Sequence, residues 1–261
     1  RYRYGYEPEV AAFLDAILPE CRIFVDVGAN WGYFTLFVLT AAPFKGRVVA
    51  IEPNPSAFND LKQLVSSASW EGRVSCWDCA LAEDNGVAFM KVRDGIHSGE
   101  TALVKEITSM KVGKRRLDDV LQTDSMWDQV DAIKIDTEGT ELQVMRGATT
   151  VIRSNHPAVI FESTIDNLED TGTILAPFLF LAGEGYEFFA PGWLVNRQNK
   201  PFVFPDNRAL FQFPGPVQEL ILTPFLPSQR LMLPQKVNCI AMTPDRTQSL
   251  ITQGVFGPWE P

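Results

Sequence analysis

Apolar residues recur at Val10, Phe13, Leu14 and Ile17, the period of a helix from Glu7 to Leu18 that Pro19 ends. Arg22 to Val27 then reads as a buried strand that stops at a glycine-rich turn, Gly28 to Gly32, and restarts as a helix from about Trp31 to Thr40. Arg47 to Ile51 is a second strand and closes on the acid Glu52. Pro55-Ser56 opens an amphipathic helix with Phe58, Leu61, Leu64 and Val65 on one face, and Val74 to Cys79 is a third strand. The turn Asp84-Asn85-Gly86 precedes alternation in Val87 to Val92, and Thr101 to Glu106 completes a β-hairpin where a helix would be expected. Leu117 to Leu121 reads as a short capped helix of structural role. Ala132 to Asp136 and Ala158 to Glu162 are strands four and five, with helices from Gly139 to about Arg146 and from Thr173 to Leu181.

The order strand, glycine turn, helix, strand, acid is that of a doubly wound, mostly parallel α/β sheet holding a nucleoside. Glycines let the backbone approach the ligand, free amides at the helix start face it, and the acid ending the second strand accepts ribose hydroxyls. A dinucleotide turn needs Gly-x-Gly-x-x-Gly, its middle glycine admitting the pyrophosphate. Here the turn is Gly28-Ala29-Asn30-Trp31-Gly32, with a bulky Trp31 where a small residue is required. Asp26, inside the first strand, would repel a pyrophosphate and suits the ammonium and sulfonium of S-adenosylmethionine.

Three runs carry a family resemblance: Asp26-Val27-Gly28-Ala29-Asn30-Trp31-Gly32, then Glu52-Pro53-Asn54-Pro55, then Ile133-Lys134-Ile135-Asp136-Thr137-Glu138-Gly139-Thr140-Glu141. On these the chain resembles the FkbM family of S-adenosylmethionine-dependent methyltransferases, from about Tyr6 to Ser163 and more weakly to the carboxyl end. The first run is shared by many class I methyltransferases; the third is far more specific. The resemblance implies the class I methyltransferase fold, S-adenosyl-L-methionine as cofactor, and an enzyme that methylates hydroxyl groups of sugars, polyketides and related small molecules. It also implies that Asp78, with the backbone of Ala80, holds the adenine amino group and ring nitrogen.

Composition narrows the class further. With 261 residues the simplest organisation is one methyltransferase domain, its core at about 6–190 and an extension over 191–261. Most of the 18 prolines lie from Pro177 onward, which predicts extended, irregular backbone broken by short strands such as Val237 to Met242. That extension is expected to close the sheet edge and line the acceptor pocket, with the hairpin covering the site. A formal charge of −9 argues against a nucleic-acid partner, and no apolar run of about eighteen residues is present to span a membrane. A cytoplasmic location is expected; the chain opens on Arg1 rather than methionine, as an excised domain would. The four cysteines make no disulfide framework, and Cys76 and Cys79 on one strand face opposite sides of the sheet and cannot chelate one ion.

In an open parallel sheet, ligands sit beyond the carboxyl ends of the strands at the switch point. Asp26, Glu52, Asp78, Asp136 and Glu162 all fall there. Together they would repel unless a cationic ligand, Lys134 or a metal relieves them. Gly28, Asn30 and Gly32 with Asp26 and Glu52 form the expected donor site. A hydroxyl is a poor nucleophile and needs a base or an acidifying metal. Asp136 is the candidate for either role, with Glu162 as the second ligand should a divalent metal bind. Glu138 sits in the following loop as a further catalytic candidate. Glu141 reads first as favourable charge at a helix start. Lys134 alternates with Asp136 and is expected to form an ion pair with one of the acids. Of the two histidines, His156 before Pro157 reads as structural, whereas His97 at the hairpin tip can reach the acceptor as a general base. Two other classes fit less of the pattern: a non-catalytic S-adenosylmethionine-binding scaffold, and a nicotinamide-dependent oxidoreductase.

Overall fold

The structure is a computed structural model describing residues 5–91, 102–104, 110–125, 129–165, 170–197, 200–204 and 219–252. The chain divides into two compact units, Glu20–Glu162 and a second made of Arg1–Pro19 with Ser163–Pro261. Helix α1 (Pro8–Ile17) belongs to the second unit and buries Val10, Phe13, Leu14 and Ile17, the four residues of its predicted face. Pro8 starts it without loss, since a first-turn N–H has no helical partner.

The first unit alternates β1 (Ile23–Val27), α2 (Tyr33–Thr40), β2 (Arg47–Ile51), α3 (Pro55–Ser67) and β3 (Val74–Trp77). A small sheet follows, made of β4 (Cys79–Leu81), β5 (Gly86–Lys91), β6 (Ala102–Val104) and β7 (Met110–Arg115). After α4 (Leu117–Thr123) the chain returns through β8 (Val130–Ile135), α5 (Glu141–Gly147), α6 (Thr149–Asn155) and β9 (Ala158–Thr164). The strand order β3-β2-β1-β8-β9 is parallel throughout. β1 is buried at every position, as a strand covered on both faces must be. The order reverses between β1 and β8, so the switch-point crevice lies beyond Val27 and Ile135. Helix α3 starts where Asn54 Oδ1 accepts the N–H groups of Ser56 and Ala57 at 3.0 and 3.4 Å.

Two local expectations change. Strand three breaks at Asp78: β3 ends at Trp77, and Cys79 to Leu81 pair with β7 in the small sheet. The expected hairpin is present as the antiparallel pair β5–β6, but β5 also pairs with β7, a strand too polar to read, with only Val112 deeply buried. Ala80, Met90 and Val112 form the core of this sheet.

The proline-rich extension is more regular than its composition suggests. The second unit carries α7 (Thr171–Gly183), β10 (Glu187–Arg197), β11 (Lys200–Phe204), β12 (Glu219–Phe225), β13 (Lys236–Met242) and α8 (Pro244–Thr252). β10 pairs antiparallel with β11, β12 and β13. Pro191 lies outside the β13 pairing, which ends at Phe189, and the β11 pairing, which begins at Trp193, and stands opposite Leu222 in the β12 pairing. Phe178 packs edge-on against Phe188 and Phe225 at 5.3 and 5.8 Å. Arg230 is fully buried and donates to Ser163 Oγ and to the carbonyl oxygens of Ser163, Pro234 and Gln235. No helix among the described residues is long and apolar enough to cross a membrane.

Candidate active site at the end of the parallel sheet

The glycine turn is built from backbone bonds to β2. The N–H groups of Gly28 and Ala29 both donate to the Ile51 carbonyl at 3.0 Å. Gly28, Asn30 and Gly32 are left-handed, with φ of 75, 52 and 97°, a conformation that glycine adopts freely and asparagine tolerates. Each glycine is also needed for space. A Cβ on Gly28 would collide with the Asp136 carbonyl oxygen, and one on Gly32 would lie 2.8 Å from a Leu61 methyl. The turn and the end of β8 are therefore in backbone contact.

Glu52 anchors the turn from the other side. Its Oε2 accepts the Asn30 N–H and its Oε1 the Asn54 N–H, both at 2.8 Å. The side chain is 7% exposed. Burial pushes its carboxyl up to about 7, against the pull of the two N–H donors and with smaller contributions from Asp26 and Asp136. Each carboxylate oxygen accepts more than one hydrogen bond, so capacity remains for two ribose hydroxyls.

Asp26 and Lys134 are register partners in β1 and β8, so their side chains share a face, the one α2 covers. The Thr35 hydroxyl donates to Asp26 Oδ2 at 2.8 Å, and the Lys134 ammonium lies 4.8 Å from the centre of the Phe34 ring. Asp26 is 1% exposed and its Oδ1 has no hydrogen-bond partner among the described residues. Burial raises its proton affinity, and Lys134 opposes that. Asp26 is thus enclosed in the protein rather than set on an open surface. Lys134 Nζ forms the expected ion pair, with Asp136 Oδ2 at 2.9 Å. Lys134 is the counter-charge to Asp136 by contact and to Asp26 through its field, while Glu52 feels the two acids, an excess of negative charge that favours a cationic ligand.

The loop after β8 is held by Glu141. Its Oε1 accepts the Thr137 N–H at 3.3 Å, the Thr137 hydroxyl at 3.1 Å and the Gly139 N–H at 3.1 Å. Glu138, half-buried, has φ of 55°. Asp78 is exposed at the break between β3 and β4, whereas Ala80 is buried in β4, opposite Lys114 of β7. Glu162 is buried in β9. His97 lies outside the described residues. His156 caps α6 in a left-handed conformation, φ 48°, a structural position. Burial raises the Cys76 and Cys79 thiols to about 11 each, which leaves them unreactive at neutral pH. Among the described residues no group of three or more His, Cys, Asp or Glu is placed to hold a metal ion.

Thr35 and Phe34 carry no mark of the site in the sequence, whereas Asn54 does, within the run Glu52-Pro53-Asn54-Pro55 and ahead of the helix-opening Pro55.

The switch-point crevice, glycine turn and strand-ending acid define the mostly parallel Rossmann-like fold of the class I methyltransferases. The family model described as "Methyltransferase FkbM domain" matches residues 26–188, and the chain belongs to that family, whose members take their methyl group from S-adenosylmethionine. The chain is 24% identical over 187 residues to "Methyltransferase sdnD" of Sordaria araneosa, covering 60% of this chain and 70% of that protein. It is 25% identical over 192 residues to "Methyltransferase 1" of Beauveria bassiana (strain ARSEF 2860), covering 66% and 74%. The crystal structure of methyltransferase FkbM from Methylobacillus flagellatus KT shares the fold with a TM-score of 0.51 and 14% identity. That match covers 85% of this chain and 43% of the other, so this chain spans less than half of that protein.

Proposed function

We propose that the chain is an O-methyltransferase that moves the methyl group of S-adenosylmethionine to a hydroxyl of a small molecule such as a sugar or polyketide. The observation that carries this reading is Glu52, buried, bonded to the N–H of Asn30, and facing the same crevice as Asp136. In this reading Glu52 accepts the ribose hydroxyls and the turn from Gly28 to Gly32 lies along the nucleoside. Asp78, with the backbone of Ala80, takes the adenine amino group and ring nitrogen. The sulfonium rests in the field of Asp26 and Asp136.

Methyl transfer is an in-line displacement: acceptor oxygen, methyl carbon and sulfur must be collinear, with reacting atoms about 3 Å apart. Asp136 accepts the hydroxyl proton as the oxygen–carbon bond forms. The carbon–sulfur bond breaks and its electron pair stays on sulfur, leaving neutral S-adenosylhomocysteine. Lys134 holds Asp136 in place through the 2.9 Å ion pair. Glu138 and His97 are the other candidate bases.

The test is transfer of an isotope-labelled methyl group to a panel of hydroxylated sugars and polyketides, by wild type and by Asp136→Asn. Loss of a general base slows turnover by about 10²–10⁴-fold with donor binding kept. Near-normal turnover in the variant would move the role to Glu138 or His97, and no transfer to any hydroxyl would remove the O-methyl assignment.

A further inference from the structure

Glu141 does more than place a negative charge at a helix start. It is the first residue of α5, yet its side chain turns back over the preceding loop and one oxygen, Oε1, gathers three donors: the Thr137 N–H, the Thr137 hydroxyl and the Gly139 N–H. The loop between these donors is unfavourable by itself. Glu138 and Gly139 are left-handed in succession, with φ of 55 and 105°, and a non-glycine residue in that region persists only where its surroundings enforce it. The two N–H groups that Glu141 satisfies flank Glu138 on either side. The loop also leans on the donor turn, because the Asp136 carbonyl oxygen occupies the space a Gly28 side chain would need, and the Asp136 N–H donates to the Val27 carbonyl at 3.0 Å.

We propose that Glu141 is a positioning residue of the methyl-transfer site, locking the Asp136–Gly139 loop so that Asp136 and Glu138 keep their places and the Gly28 turn keeps its shape. The assignment rests on the donor site described above. It requires an acceptor oxygen at the right reach and does not require a charge. A role in helix electrostatics would require the charge and tolerate a shorter side chain. The two roles therefore make opposite demands on Gln and Asp. Glutamine keeps the reach and an acceptor oxygen; aspartate keeps the charge and falls one methylene short.

The experiment uses the full chain with Glu141→Gln, Glu141→Asp and Glu141→Ala. It reads amide hydrogen exchange at Thr137 and Gly139 and calorimetric affinity for S-adenosylhomocysteine. In Glu141→Gln both stay within about threefold of wild type. In Glu141→Asp and Glu141→Ala the two amides exchange about tenfold faster or more, and affinity falls about tenfold, the effect of losing one or two net hydrogen bonds. Asp behaving as wild type while Gln behaves as Ala would overturn the proposal in favour of helix charge. Unchanged exchange in all three would overturn it outright. Should Glu141→Ala fail to fold, the Gln and Asp comparison still decides. Should the wild type bind no S-adenosylhomocysteine, the donor reading fails, and the exchange pattern still shows whether Glu141 locks the loop.

Discussion

The Lys134 ammonium lies 2.9 Å from Asp136 Oδ2 and is register partner to Asp26, so one buried cation serves two carboxylates on neighbouring strands. Removing it leaves both acids without their counter-charge in a site where Lys134 is 3% exposed. Breaking a buried pair by deleting one partner costs about 3–5 kcal/mol. Lys134→Met should therefore lower stability by that order in urea unfolding, far more than truncating an exposed lysine. A loss below about 1 kcal/mol would mean the pair is solvent-screened.

Two glycines with positive φ separate steric need from conformational need. Gly28, at φ 75°, is packed against the Asp136 carbonyl oxygen, whereas a Cβ on Gly139, at φ 105°, meets nothing within 4 Å. Gly139→Ala should cost only the left-handed backbone penalty, about 1–2 kcal/mol. Gly28→Ala adds overpacking against backbone and should cost roughly 3 kcal/mol or more. Equal thermal shifts in the two variants would contradict the close approach.

With Glu52 as the proposed ribose acceptor, donor binding and stability should depend on pH in opposite senses. Its ordinary value of 4.5 rises to about 7 in the folded chain because burial penalises the charge. Between those values the folded state holds a proton that the unfolded state has released. Stability from this group is therefore complete below pH 4.5 and lost as pH rises to 7. The loss amounts to about 3 kcal/mol. Asp26 and Glu141, also raised by burial, add in the same direction. Ribose hydroxyls instead require the ionised acid. Affinity for S-adenosylhomocysteine should fall as pH drops below 7, approaching about tenfold per pH unit, with release of a proton on binding. Calorimetry in buffers of different ionisation enthalpy measures that proton directly. A pH-independent affinity from 5.5 to 8 would contradict the ribose role.

The sheet was legible where burial on both faces makes the sequence continuous in apolar residues. Arg47 to Ile51 was read with the bounds it has in the structure, and the turn after Val27 announced itself through Gly28 and Gly32. Elements whose stability comes from distant residues were not legible. Helix α6 opens with Thr149, Thr150, Val151 and Ile152, poor helix formers, and is held by Asp118 of α4, which accepts the N–H groups of Thr150 and Val151 at 3.0 and 3.1 Å. Strand β7 exists because β4 and β5 flank it, and β10 because three strands pair with it. In the site, the Lys134–Asp136 ion pair followed from alternation along β8 and the residue after it. The turning back of Glu141 did not, because a charge in the first turn of a helix already has a sufficient local explanation.

The most direct test of the account is calorimetric titration of S-adenosylmethionine into the wild-type chain and into Glu52→Ala. Saturable binding in the wild type that weakens about a hundredfold or more in the variant, as expected when two charge-assisted hydrogen bonds to the ribose are lost, is the predicted result. Binding of equal strength in both would show that the acid ending β2 does not hold the donor, and the assignment of the crevice would fall with it.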